Sequence, residues 1–99
     1  MVASNFRILI HRSSQSLHLK LLGDFDGGSA SLLAKTIARH RFGTRKIFVH
    51  TSCLNSVRPG AANVLGTYLQ FDSSILDGLV FTGEKAAILA PRRFDRAAL

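Results

Sequence analysis

Between residues 17 and 38 the spacing of the apolar side chains changes period, and that change constrains the fold more than any other feature of the chain. Leu17, Leu19 and Leu21 alternate with His18 and Lys20, the pattern of a strand with one buried face. Ala30, Leu33, Ala34, Ile37 and Ala38 then recur at intervals of three and four, one stripe of a helix over residues 29–41. The segment between them, GDFDGG at 23–28, holds two acids and three glycines and predicts a turn, with Ser29 as the cap of the helix. Gly43 stops that helix, and His40 and Arg41 lie in its last turn, where the dipole favours cations. A strand passing directly into a helix is the first half of a β-α-β unit, which requires a right-handed crossover and parallel strands.

The remaining segments complete the unit and extend it. NFRILIH at 5–11 alternates through Phe6, Ile8 and Ile10 and predicts a strand antiparallel to 16–22 across a short turn at 12–15. RKIFVH at 45–50 is nearly continuously apolar in its middle, which predicts a central strand covered on both faces. From Gly60 the apolar residues Ala61, Val64, Leu65, Tyr68 and Leu69 mark a second amphipathic helix. Residues 72–77 predict a loop, 78–82 a strand, and 83–90 a short helix that Pro91 terminates. Asp72-Ser73-Ser74 falls in that loop and is assigned to turn chemistry. RRFDRAAL at 91–99 is a basic tail. The expected fold is α/β, in the order ββαβαβα: a small mixed sheet of about four strands with helices packed mainly on one face. Residues 1–99 form one domain.

Charge narrows the class of partner. The formal net charge is +7, and no acidic residue lies between Asp26 and Asp72, an interval that carries Lys35, Arg39, Arg41, Arg45, Lys46 and Arg58. A one-signed middle raises encounter rates with acidic proteins, nucleic acid or anionic lipid without choosing among them. Aromatic interleaving of these cations, as in nucleic-acid motifs, is absent along the chain. The lone Cys53 excludes an internal disulfide framework, and four scattered histidines show no ligand spacing, so no metal or cofactor is expected. Cysteine usage and the lack of a secretory pattern give a cytoplasmic default. No apolar run approaches the ~18–20 residues of a membrane span.

The candidate site is the turn before the second helix. Pro59 suits the first helical position, which leaves the amides of Gly60 and Ala61 as a weak anion site with Arg58 beside it. The loops at 23–28 and 51–60 leave parallel strands by the same edge of the sheet and are therefore expected to be neighbours. Asp24 and Asp26 form a spaced acidic pair for which turn chemistry is a sufficient account. Thr51, Ser52, Asn55 and Ser56 are the polar residues of the second loop. Thr51 and Ser56 are its alternative phosphoacceptors, with loop hydrogen bonding as the simpler role. His50, at a strand end, is expected to pack.

Three stretches together resemble the STAS domain family, the fold of bacterial anti-anti-sigma factors and of sulfate-transporter cytoplasmic tails. LLGDFDGGSASLL resembles the family's strand, Gly-x-x-Asp turn and first helix, with Gly23 and Asp26 at its Gly and Asp. RKIFVHTSCLNSV resembles the central strand and loop. GAANVLGTYLQF resembles the second helix, with Gly60 at the family's Gly. The resemblance covers about Phe6 to Gly83. It implies a non-enzymatic domain that binds a regulatory protein, whether an anti-sigma factor, a kinase or a scaffold, through Asp24, Asp26, Ser56, Val57, Arg58, Pro59 and Gly60. The family's switch reads Asp-Ser-Ser/Thr-Gly, and a partner kinase phosphorylates its first Ser. Here Val57 stands for the Asp and Arg58 for that Ser. Arginine offers no hydroxyl, and its charge has the opposite sign to phosphoserine. The implied module therefore lacks the usual serine switch. The alternative is a basic module that binds nucleic acid or a nucleotide through the positive middle. A truncated last helix, compared with the family, also implies open sheet edge and self-association.

Overall fold

The computed structural model describes residues 5–70 and 78–90. Strand β1 (Arg7–Ser13) and β2 (Ser16–Phe25) form an antiparallel hairpin whose register runs from Ser13 opposite Ser16 to Arg7 opposite Leu22. The connection is two residues long, with Ser14 at φ 56° in the left-handed region. Helix α1 (Gly27–His40) returns to β3 (Lys46–His50), which pairs parallel with β2 from Ser16–Lys46 to Lys20–His50. Strand β4 (Leu54–Val57) follows, then α2 (Ala61–Gln70), β5 (Leu79–Thr82) and the single-turn α3 (Ala86–Leu89). β5 pairs parallel with β3, so the order across the sheet is β1-β2-β3-β5.

The core follows from the alternation of β2. Leu17, Leu19, Leu21 and Phe25 are fully buried beneath Leu33 and Ile37 of α1, Leu65 and Leu69 of α2 and Leu89 of α3. The helices touch one another in sequence, α1 to α2 to α3, and form one layer on one face of the sheet. The helical stripes are narrower than their spacing predicts. Ala38 is exposed, and Tyr68 is 46% exposed at the border of the α2 stripe.

Four sequence expectations are corrected. The sheet has five strands: LNSV at 54–57 is a strand, paired parallel with Gly23, Asp24 and Phe25 of β2. It continues along the β2 edge that β3 occupies, after a break at 51–53. Second, residues 23–25 of the expected turn are the end of β2, because the β4 ladder holds them extended. Third, the cap of α1 is Asp26, whose side chain accepts from the Ser29 amide at 2.8 Å; Ser29 lies inside the first turn and is buried. Fourth, β3 is central but covered on one face only, and its Phe48 is half-buried on the side away from the helices. The expected 72–77 loop, with its Asp72-Ser73-Ser74, and the 91–99 tail lie outside the described residues. No helix among the described residues is long and apolar enough to cross a membrane.

Candidate functional site

The C-terminal ends of β2 and β4 lie side by side and carry the predicted site residues. Gly23 takes φ 91° where β2 leaves its regular register, and a Cβ there would meet the Asn5 carbonyl oxygen at 2.5 Å. Asn5 also accepts from the Asp24 amide through its Oδ1, at 3.1 Å. Across the β2–β4 ladder the Ser56 hydroxyl donates to Asp24 Oδ1 at 2.9 Å. The Arg58 amide donates to the Phe25 carbonyl at 2.8 Å, carrying the pairing one residue beyond β4. Thus the two loops expected to be neighbours are bonded through backbone and side chain alike.

The next four residues form a tight turn. The Ala61 amide donates to the Arg58 carbonyl at 3.1 Å, with Pro59 second and Gly60, at φ 90°, third in the turn. Proline followed by a residue of positive φ is the type II pattern, and glycine adopts that φ without steric cost. Pro59 is therefore a turn residue that precedes α2. The expected pair of unpaired amides is likewise corrected, because the Ala61 N–H is engaged by Arg58. The first helical bond runs from the Val64 amide to the Gly60 carbonyl at 3.0 Å. Arg58, Pro59 and Gly60 are exposed and Val57 is half-buried against the core.

Electrostatics tie Arg58 to the cap of α1. The Ser29 amide, and then its hydroxyl, hold the Asp26 carboxyl below its ordinary value of 3.8. Burial opposes the shift, and the positive charge of Arg58 adds to it. The Ser29 hydroxyl lies 2.9 Å from Asp26 Oδ1 and 3.1 Å from the Asp24 carbonyl. Each aspartate thus has its own hydroxyl partner, Ser56 for Asp24 and Ser29 for Asp26. The two hydroxyl candidates of the loop part company. Thr51 is fully buried; its Oγ1 donates to the Thr82 carbonyl at 2.7 Å and accepts from the Lys85 amide at 3.1 Å, which clips β3 to β5 and α3. Ser56 is exposed.

No family model and no curated protein matches the sequence. Solved structures do match. SpoIIAA, an anti-sigma factor antagonist in its unphosphorylated form, superposes with a TM-score of 0.57 at 10% identity, over 94% of this chain and 97% of that one. The chain has a SpoIIAA-like, STAS-type fold. An uncharacterized DUF3478 protein with a SpoIIAA-like fold, from Shewanella loihica PV-4, gives a TM-score of 0.51 at 14% identity over 85% of this chain and 70% of that one. Mglu gives 0.60 at 16% identity over 77% of this chain, which spans 19% of the Mglu chain.

In this SpoIIAA-like arrangement the basic middle is not one patch. Lys35 and Arg39 are exposed on α1, Arg45 and Lys46 lie at the start of β3, and Arg58 sits at the far end of the parallel strands. The histidines, by contrast, converge. His11, His18 and His50 come from three strands and meet on the face of the sheet away from the helices. Their separation along the chain concealed this, since only the strand register brings them together. Among the described residues no group of three or more His, Cys, Asp or Glu is placed to hold a metal ion. Cys53 is exposed in the break between β3 and β4.

Proposed function

We propose that the chain is a non-enzymatic, anti-sigma factor antagonist-like regulatory module that binds a partner protein through the rim formed by β2, β4 and the turn before α2. The observation that carries this reading is the placement of Arg58. Its backbone is pinned at both ends, by Phe25 and by Ala61, while its side chain is exposed. A charged side chain on a pre-ordered turn loses little backbone entropy on binding. The partner is an anti-sigma factor, a kinase or a scaffold that brings a carboxylate or a bound phosphate to the guanidinium. Asp24, Asp26, Ser56, Val57, Pro59 and Gly60 form the surround. The switch position is an arginine, so the module binds without phosphorylation of that residue. The SpoIIAA-like fold supports the reading, and the local hydroxyl partners of Asp24 and Asp26 fit the turn roles expected of both.

The test is isolation of the tagged protein from its native cells after nuclease treatment, side by side with Arg58→Glu. A stoichiometric regulatory protein is expected with the wild type and lost with the variant. Stability of the variant should fall by less than about 1 kcal/mol, since the replaced group is exposed. Equal recovery of the partner by both proteins would overturn the assignment of Arg58.

A further inference from the structure

The face of the sheet turned away from the helices carries a cluster of rings. His18 of β2 stacks on Phe48 of β3 with centroids 4.9 Å apart and planes 11° apart, and lies parallel to His50 at 5.2 Å and 3°. Phe48 and His50 are parallel within 8° at 6.3 Å. His11 of β1 follows on the other side of His18, at 6.1 Å. The imidazoles are fixed in place. His18 Nδ1 and His50 Nε2 are 3.0 Å apart, so one nitrogen donates its proton to the other, and His50 Nδ1 lies 2.7 Å from Thr82 Oγ1. Toward β5 the neighbours in register are Val80 and Thr82, so on this face no ring of the described residues follows the cluster there.

Cations border these rings. Lys20 pairs in register with His50, Arg7 lies on β1 two and four residues from Leu9 and His11, and Lys46 precedes Phe48 on β3. All three are exposed, and Leu9 is 51% exposed among them. On this face the described residues of β1, β3, β5 and of β2 as far as Leu22 include no carboxylate. The first acid is Asp24 at the rim, bonded to Ser56. Among the described residues this face thus combines half-buried rings with exposed cations.

We infer that this sheet face is a binding surface for single-stranded nucleic acid. Unpaired bases stack on phenyl and imidazole rings, and the phosphates between them need cations a few ångströms to the side. Parallel rings bordered on this face by Val80 and Thr82 offer a surface on which a flat base can stack. A duplex keeps its bases stacked inside and cannot use the rings. An acidic peptide would use the cations but not the rings. A second copy of the chain would bring another +7 of like charge to the contact. The face lies across the sheet from the helices, and the inference stands independently of the partner proposed for the rim.

The experiment is fluorescence anisotropy of the full chain with labelled 12-mers: oligo-dT, oligo-U, a DNA duplex and oligo-glutamate, at 50 and 200 mM salt. Micromolar binding of the single strands is expected, weaker at the higher salt and about fivefold or more tighter than the duplex or the peptide. Lys20→Glu, and Phe48→Leu, which keeps apolar volume but removes the ring, should each weaken it about fivefold or more. Arg58→Glu should leave it within about twofold, which separates this surface from the rim. If Phe48→Leu disturbs folding by circular dichroism, Lys46→Glu replaces it. The inference is overturned by absent binding at 50 mM salt, by equal affinity for duplex or peptide, or by equal loss on Arg39→Glu, which would make the attraction a property of net charge alone.

Discussion

The two faces of β2 are built from alternate residues of one strand and have opposite characters. Leu17, Leu19, Leu21 and Phe25 are without solvent exposure, whereas His18 and Leu22 are half-buried and Lys20 is exposed. Because side chains alternate strictly, neither set can migrate to the other side without a slip of register that would bury Lys20. The comparison teaches that the fold depends on the odd-numbered residues, while the even-numbered ones are available for recognition at little cost.

The sharpest way to break that comparison is at adjacent positions. Leu19→Ala should destabilise the protein by about 2–5 kcal/mol through lost burial and a residual cavity. Lys20→Ala, one residue on, should change stability by no more than about 0.5 kcal/mol. Urea denaturation of both variants checks the contrast, and similar losses would show that the open face is also structural.

A smaller effect is expected where β2 runs into α1. Asp26→Ala removes the cap and should cost about 0.5–2 kcal/mol at neutral pH. Ser29 and Arg58 lower the folded-state pKa of Asp26, so its contribution is complete above the ordinary value of 3.8 and is lost as pH falls through the lowered one. The difference between wild type and variant in thermal melts should therefore shrink below about pH 4.

The smallest effect distinguishes the two faces by titration. Burial, then the charges of His18 and Lys20, push the His50 pKa below 6.5. The unfolded chain then binds more protons than the folded one near pH 6, so stability is complete above 6.5 and declines as pH falls toward the lowered value. Around His50, His18 and Lys20 on β2 and His11 on β1 carry the other ionisable groups, and β5 contributes the neutral Val80 and Thr82. His50→Gln should flatten the wild-type decline between pH 7.5 and 5.5 in denaturant titrations. The opposite face, whose buried residues are all nonionisable, should add nothing in that interval.

Much of this architecture was legible from side-chain spacing. The hairpin and both long helices carry a period of two or of three to four, β5 is a short apolar run, and the adjacency of the loops at 23–28 and 51–60 follows from chain direction in parallel strands. Strand β4 was not legible, because LNSV has apolar residues only at its ends and is a strand by virtue of its ladder to β2. The cap moved from Ser29 to Asp26 for the same reason: pairing with β4 extends β2 to Phe25 and leaves Asp26 as the first free position. Of the rim residues, Ser56 and Asp24 are joined by a bond that no sequence pattern announces. The ring cluster was the least visible feature, since His11, His18, Phe48 and His50 are united by register between three strands.

The backbone bonding of the rim has an evolutionary consequence. Phe25 holds the Arg58 amide, the Arg58 carbonyl holds Ala61, and the carbonyl of buried Thr51 holds Leu54, while the side chains of Asn55, Ser56, Arg58 and Pro59 face solvent. Substitutions among those side chains leave the peptide bonds that shape the rim in place. Substitution can therefore rewrite the exposed surface of the rim while the scaffold beneath stays in place.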